Sequence, residues 1–161
     1  MENYVLIPSP LGVLQAAWND KALTALDFVD DQVDERVALS GGSVPSFVLR
    51  FAEELEAYFF GALREFSVPL AFTGGTIFQR RVWEALREIP YGSTVTYGDL
   101  ARSLGFSSGA SRAVGSACGA NPLPLLVPCH RVLAAGGRLG GYAGGLWRKE
   151  RLLAIEQAQP R

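Results

Sequence analysis

The chain has 161 residues, of which 48% are hydrophobic and 19% charged, and its formal net charge is -1 at pH 7. This length and apolar content suffice for one domain or two small ones, and they exclude an intrinsically disordered chain. No apolar run approaches the ~20 residues that span a membrane, and the N-terminal MENYVLIPSP lacks the basic-then-apolar pattern of a signal peptide, so we expect a cytoplasmic protein.

The small net charge hides a strong asymmetry between the two halves of the chain. Residues 1–75 carry eleven acidic and four basic side chains, a net charge of -7, whereas residues 76–161 carry eleven basic and five acidic side chains, a net charge of +6. A basic half of this kind is typical of proteins that contact nucleic acid. The alternative is a basic surface with no partner, and the charge alone does not separate the two.

The first half predicts a small sheet followed by one helix. Alternating apolar residues indicate strands at 4–7, 12–18 and 23–28, which we expect to form an antiparallel meander. The acidic and then Ser/Gly-rich stretch 30–42 predicts a surface loop. Apolar residues at helical spacing predict an amphipathic helix over 46–61 that packs on the sheet, and 71–75 predicts a linker.

The second half predicts a mainly helical unit. Thr76 with Gln79, and Thr96 with Asp99, are spaced so that each pair can satisfy free backbone donors at the start of a helix. The pattern predicts helices over 76–89, 98–104, 110–119 and 145–157, a short β segment at 94–96, and a β-hairpin over 131–139. The chain is thus expected to be α+β, with one domain over 1–74 and a second over 75–161.

Two short helices joined by a glycine-containing turn in the basic half suggest a helix-turn-helix unit. The second of these helices, ASRAVGSACG, has Arg112 as its one long side chain. Recognition helices in the major groove present long polar side chains to base edges, so a slim helix with one arginine suits the narrower minor groove. The alternative is a small-residue helix that packs tightly within the domain.

The motif PCHRV places the single histidine, His130, directly after Cys129. A free thiol is mostly protonated at neutral pH, so a reactive cysteine needs a base or a cation nearby, and His130 and Arg131 are both near in sequence. Adjacent side chains of an extended chain point to opposite sides, so His130 would reach the thiol through a water or a bend. Glu150 or Glu156 is the candidate to orient His130. A buried structural cysteine beside a hydrogen-bonded histidine is the alternative.

The sequence predicts neither a metal site nor a cofactor. One histidine and two cysteines eleven positions apart lack the paired short spacings of zinc sites. A disulfide between Cys118 and Cys129 is not expected either, because thiols stay reduced in the cytoplasm.

Four motifs in register over 78–156 resemble a known family: IPYGSTVTYGDLA, SRAVGSACGANP, LLVPCHRV and GGYAGGLWRKERLLAIE. They are similar to the 6-O-alkylguanine-DNA alkyltransferases, the suicide proteins that repair alkylated guanine. The resemblance implies an RNase H-like first domain and a second domain with a winged helix-turn-helix. It implies a monomer that binds double-stranded DNA through the minor groove and flips out 6-O-methylguanine, with 4-O-methylthymine as a further substrate. The alkyl group would pass irreversibly, once per molecule, to the protein's own cysteine.

The resemblance implies roles for the residues that react. Cys129 would be the alkyl acceptor, His130 would act on it through a bound water, and Glu156 rather than Glu150 would orient His130. Tyr97 would contact phosphate beside the flipped base and supply a proton to the leaving guanine.

The resemblance implies two further sets of residues. Arg112 would take the place of the extruded nucleotide. DNA contacts are also implied for Ala113, Gly115, Thr94 and Tyr97. Five residues would hold the base: Asn121 by fixing the turn before the cysteine, Val132 by its backbone, and Tyr142, Ala143 and Gly144 in a loop that closes over it.

Two features depart from the family pattern. Some members carry a zinc site in the first domain, which this chain cannot build because it has no cysteine before Cys118 and no second histidine. Many members have a serine where this chain has Ala143, so a hydroxyl contact to the leaving oxygen would have to come from backbone N–H groups or Tyr142.

Three other classes of protein compete with this interpretation. A damage-binding relative without catalysis would lack the thiol, and Cys129 is present. A helix-turn-helix regulator would need long major-groove side chains. A cysteine hydrolase would turn over repeatedly, which distinguishes it from a stoichiometric acceptor.

Overall fold

The computed structural model describes residues 3–29 and 43–157, apart from the side chain of Ser108. The chain divides into two compact units, Met1–Thr73 and Gly74–Arg161. The loop expected at 30–42 lies outside the described residues. Among those described, no helix is long and apolar enough to cross a membrane.

The first unit contains an antiparallel sheet in the order β1-β2-β3 and one helix. Its elements are β1 (Asn3–Ile7), β2 (Val13–Trp18), β3 (Leu23–Val29) and α1 (Ser46–Phe59). Val5 pairs with Ala16, and both are buried. Paired residues of adjacent strands lie on the same face of a sheet, and successive residues of one strand alternate between the two faces. Helix α1 buries Val48, Phe51 and other residues at helical spacing. The predicted sheet and helix are confirmed.

The second unit is mainly helical. Its elements are α2 (Ile77–Leu86), β4 (Val95–Thr96), α3 (Tyr97–Ser103), α4 (Ser111–Gly119), β5 (Val132–Leu133) and α5 (Leu146–Ile155), with 3-10 turns at Ser108–Ala110, Cys129–Arg131 and Ala135–Gly137. Both predicted helix starts are confirmed: Thr76 and Gln79 exchange hydrogen bonds of 2.9 and 3.0 Å, and Thr96 and Asp99 do so at 3.0 and 3.1 Å. Helices α3 and α4 form the predicted helix-turn-helix.

The predicted hairpin over 131–139 is wrong in its pairing. Strand β5 pairs in parallel with β4, Val95 opposite Val132 and Thr96 opposite Leu133. Residues 134–138 form a tight turn in which the Ala134 N–H donates to the carbonyl of Arg138 at 2.8 Å, but 138–139 form no strand. The parallel pair places the first residue of α3 beside the segment that follows the Cys-His-Arg turn.

Candidate active site

Cys129 and His130 lie in the buried 3-10 turn Cys129–Arg131 and not on an extended strand. A 3-10 turn has about three residues per turn, so neighbouring side chains diverge by about a third of a circle and do not point to opposite sides. The sequence allows His130 to reach the thiol through a water or through a bend of the chain, and this turn is such a bend. The apolar segment before it buries Leu125, Leu126 and Val127, and Leu125 has φ +76°, a left-handed conformation that is strained for leucine.

Glu156 joins His130 to Arg131 just after α5. Its Oε2 lies 2.7 Å from Nε2 of His130, and its two carboxylate oxygens accept from Nε and Nη2 of Arg131 at 2.8 and 3.0 Å. Arg131 also donates to the carbonyl of Ile89 at 2.6 Å. Glu150 is exposed, so the structure pairs His130 with the glutamate that the resemblance favours. Arg131, expected as a cation for the thiol, forms its ion pair with Glu156.

The charges of this network define the state of the histidine. Burial alone would raise the pKa of Glu156, but hydrogen bonds with His130 and Arg131 and the positive charge of Arg131 outweigh it and hold the pKa well below its usual range. Glu156 is therefore a carboxylate, and the proton in its contact with His130 sits on Nε2. Burial lowers the pKa of His130, so the imidazole is neutral at pH 7. Its buried Nδ1 then carries a lone pair, and within the described residues it has no hydrogen-bond partner.

The Cys129 thiol is protonated in the resting protein. Burial raises its pKa, and a hydrogen bond with the Asn121 side chain and the positive charge of Lys149 oppose this. Asn121 also donates from Nδ2 to the carbonyl of Val127 at 2.8 Å and accepts from the N–H of Leu123 at 2.9 Å. It thereby connects the turn after α4 to the segment that leads to the cysteine.

Lys149 is a site residue that the sequence reasoning missed. It is fully buried on α5, and its Nζ donates to the carbonyls of Val132 at 2.7 Å, Gly141 at 3.0 Å and Leu139. Burial lowers the pKa of Lys149, while the neighbouring cysteines Cys129 and Cys118 raise it. A signal was present, because Lys149 shares the buried face of α5 with Leu152 at a spacing of three residues.

An open groove of about 990 Å³ is lined by residues of α3, α4 and the segment 134–142. We call it the α3–α4 groove; it is lined by Thr96, Tyr97, Gly98, Arg102, Ser111, Arg112, Gly115, Gly119, Ala134, Ala135, Gly136, Arg138, Gly141 and Tyr142. Arg112 and Ala113 are exposed on α4, whereas Val114, Ala117 and Cys118 are buried. The helix thus fits both interpretations of its sequence, a packed small-residue helix and a slim helix that presents one arginine. One face packs inside the unit and the other lines the groove.

Tyr97, the first residue of α3, is held between two glycines. A Cβ on Gly140, which has φ +71°, would lie 2.9 Å from the tyrosine ring, and one on Gly115 would lie 3.8 Å away. Lys149 Nζ lies 5.8 Å from the ring centre. Burial raises the pKa of Tyr97, electrostatic interaction with Cys118 and Cys129 raises it further, and a hydrogen bond with the Gly141 backbone lowers it. The phenol is therefore protonated, and it lines the groove.

Tyr142 also lies in the groove wall, and its buried Oη has no hydrogen-bond partner within the described part of the chain. Burial raises its pKa well above the usual value. Ala143 and Gly144 follow it in the loop before α5, outside the groove lining. Thr94 is half-buried just before β4 and does not line the groove.

Two family models together cover almost the whole chain. The ribonuclease-like domain of 6-O-methylguanine DNA methyltransferase matches residues 3–72, and the DNA binding domain of the same family matches residues 77–158. The chain belongs to the 6-O-methylguanine DNA methyltransferase family.

Relatives of this methyltransferase family agree over nearly the full length. The methylated-DNA–protein-cysteine methyltransferase of Mycolicibacterium paratuberculosis is 47% identical, covering 98% of this chain and 93% of the relative. The structure of Mycobacterium tuberculosis OGT in complex with DNA has a TM-score of 0.83 at 44% identity, covering 96% of this chain and 92% of that chain. The O6-methylguanine-DNA methyltransferase of Pyrococcus kodakaraensis has a TM-score of 0.69 at 31% identity, covering 97% and 99%.

Proposed function

We propose that Cys129 accepts the alkyl group in this methylated-DNA–protein-cysteine methyltransferase, a DNA repair protein that acts by alkyl transfer. The observation that carries the proposal is the placement of His130 in the same turn as the thiol: its Nδ1 is buried and has no partner among the described residues, while Glu156 holds its other nitrogen. A buried nitrogen lone pair normally has a partner, and a water between it and the thiol would satisfy it. His130 would then take the thiol proton as Cys129 reacts.

The proposed reaction is a single displacement. The sulfur of Cys129 forms a bond to the alkyl carbon as the bond from that carbon to O6 of guanine breaks. The protonated phenol of Tyr97 supplies a proton to the leaving guanine. The product is a thioether and neither an acyl-enzyme nor a disulfide, so each molecule would repair one lesion. No metal or cofactor enters this scheme.

We propose that residues 75–161 form the DNA-binding and alkyl-acceptor domain, and 1–74 a separate sheet-and-helix domain. Duplex DNA would bind at the α3–α4 groove through its minor groove, with Arg112 replacing the flipped base. Ala113, Gly115, Thr94 and Tyr97 are the further DNA contacts of this proposal.

The flipped base would lie near the loop that carries Tyr142. Its Oη, which is buried and has no partner among residues 3–29 and 43–157, is a candidate hydrogen-bond donor to the substrate, as are the backbone N–H groups of Ala143 and Gly144. The backbone of Val132, with Lys149 on its carbonyl, would border the base edge.

We further propose that the protein acts as a cytoplasmic monomer. Cys129, His130 and Glu156 all come from one chain, so the site needs no second copy. Both cysteines are buried free thiols, which favours a reducing compartment.

Mass spectrometry after incubation with a methylguanine-containing duplex tests the proposal. One methyl group should appear on the peptide that contains PCHRV, and Cys129→Ser should abolish transfer while DNA binding persists. Cys118→Ser is the matched control. This variant should still accept the methyl group on Cys129, because burial raises the pKa of Cys118 to about 12 and keeps Cys118 unreactive. A methyl group on Cys118 would show that the acceptor has been assigned wrongly.

A further inference from the structure

An exposed tryptophan lies at the start of α5, next to the loop that carries Tyr142. Trp147 is 50% exposed, whereas Trp18 and Trp83 are 9% and 3% exposed. Its ring lies against the backbone of Gly145, which has φ +97°: a Cβ there would meet Cδ1 and Nε1 of the indole at 3.2 Å. The ring therefore packs on the last residue of the loop.

The next residue, Arg148, connects this ring to the loop. Its guanidinium carbon lies 4.5 Å from the centre of the Trp147 ring, within the range of a cation–π attraction. Arg148 is buried, and its Nη1 donates to the carbonyl of Gly144 at 2.8 Å. The indole thus packs against the guanidinium that makes this charged hydrogen bond to the loop.

Neighbouring residues of α5 hold both ends of the segment 141–145. Lys149 donates to the carbonyl of Gly141 at 3.0 Å, and Arg148 donates to that of Gly144. The Gly145 N–H closes the segment by donating to the carbonyl of Tyr142 at 2.9 Å. Three of these five residues are glycine, which loses the most conformational freedom on ordering, so contacts from outside the segment must hold it in one conformation.

We propose that Trp147 and Arg148 are positioning residues that hold the loop 142–145 in the conformation that receives the flipped base. This inference rests on the proposed function, because it assumes that the loop meets the substrate. It assigns a function to an exposed side chain outside the α3–α4 groove. Loosening the pair would misplace Tyr142 and the backbone N–H groups of the loop, and so slow the transfer step.

Substitutions at Trp147 separate this role from DNA binding. Trp147→Ala should slow transfer about tenfold, the size of effect that a displacement below 1 Å produces. The loss should be equal for methylated duplex and free 6-O-methylguanine base, and the dissociation constant for unmodified duplex should not change. Trp147→Phe keeps an aromatic ring over Arg148 and should stay within about twofold of the wild type. Ile77→Ala, an exposed apolar residue of the same unit, is the matched control.

Arg148 gives two further tests, of which the second needs no substrate. In the first, Arg148→Met should slow transfer to a similar extent. The double variant with Trp147→Ala should be no slower than the worse single variant, because both residues act through one contact. Acrylamide quenching of tryptophan emission reports mainly Trp147, since the other two tryptophans are buried. Quenching should rise in Arg148→Met.

Several results would overturn the proposal. They are wild-type transfer by Trp147→Ala, a loss confined to duplex DNA, failure of Trp147→Phe to restore the rate, and quenching that Arg148→Met leaves unchanged. A wild-type protein that transfers no methyl group to Cys129 would refute the proposed function. In that case the quenching result would still decide whether Arg148 holds Trp147.

Discussion

Burial determines the chemistry of each side chain at the candidate site. Glu156 and Arg131 form a two-pronged ion pair with almost no access to water. Removing one partner of such a pair typically costs about 3–5 kcal/mol of folding free energy, because the other charge stays buried alone. Glu156 thus both stabilises the second unit and fixes the proton of His130 on Nε2, and variants at this position will mix the two effects.

The pH profile of methyl transfer tests the assignment of His130 without any substitution. Burial holds the pKa of His130 below its ordinary 6.5, so the base is fully available at pH 7 and above. The transfer rate should stay nearly flat from pH 8 to 7. It should fall by up to about tenfold per pH unit once the pH is below the pKa of His130, because the protonated imidazole has no free lone pair. Single-turnover rates with free base measure this directly.

Acid also lowers stability, and the two effects must be separated. The folded state binds the His130 proton less readily than the unfolded chain does, so the free energy of unfolding decreases as the pH falls below 6.5. The pKa of Glu156 is lowered by folding, so its contribution is present above 4.5 and is lost as the pH falls below that value. Circular dichroism at each pH identifies unfolding. Arg112→Ala should keep the wild-type profile, and a rate that does not fall in the folded protein would contradict a basic His130.

The sequence indicates the residues proposed to react better than those that position them. Cys129 and His130 are adjacent, and family motifs carry Glu156 and Asn121. Lys149 escaped because its partners are backbone carbonyls at 132, 139 and 141, which have no side-chain signature and meet only after folding. A charged residue on a buried helix face indicates such a partner without naming it.

Among the elements, α4 connects packing to function most directly. On its buried side, the carbonyl of Ala117 accepts from the indole N–H of Trp83 at 2.8 Å, which ties α4 to α2. On its exposed side, small residues leave Arg112 as the one long side chain that α4 presents to the α3–α4 groove. A rigid helix that presents one long side chain suits insertion into a base stack.

Arg112→Ala should therefore impair repair of duplex DNA selectively. Flipping a base costs a few kcal/mol, and if Arg112 offsets about 1.4 kcal/mol of it, transfer from a methylated duplex should slow about tenfold. Transfer from the free base needs no flipping and should be unaffected. Parallel single-turnover assays on the two substrates measure the ratio. Arg151→Ala removes an exposed arginine outside the groove and serves as the control. Equal losses on both substrates would assign Arg112 to the chemistry or the fold.

Local sequence signals predict the helices and strands well, but they do not predict which strands pair over a long distance in the chain. The helix starts at Thr76 and Thr96 were readable because a capping box needs only four residues. The hairpin expected over 131–139 was wrong because the true partner of β5 is β4, whose Val95 lies 37 positions before Val132. A Gly-Gly centre predicts a turn equally well whether or not strands follow it.

For the whole molecule, the division of charge between the halves matches the location of the groove. The α3–α4 groove is lined by three arginines, Arg102, Arg112 and Arg138, all in the basic second unit. All three are exposed, and Arg102 is already paired with Asp99. The acidic residues Asp30, Asp31 and Asp34 lie outside the described residues, so the first-unit control is taken from α1.

Salt dependence of duplex binding tests whether this groove is the DNA interface. Each neutralised phosphate contributes about -0.9 to the slope of log affinity against log salt, so Arg138→Gln should make the slope shallower by up to about one unit. Arg102→Gln should have a smaller effect, because its ion pair with Asp99 already offsets its charge. Arg50→Gln, exposed on α1 in the first unit, should leave the slope unchanged, as should charge reversal at Asp30, Asp31 or Asp34.

Fluorescence anisotropy with two unrelated duplexes over a salt series measures slope and sequence preference together. Because phosphate contacts carry no sequence information, both duplexes should bind alike. An affinity independent of salt, or a strong preference for one sequence, would contradict a minor-groove repair interface and favour a regulatory one.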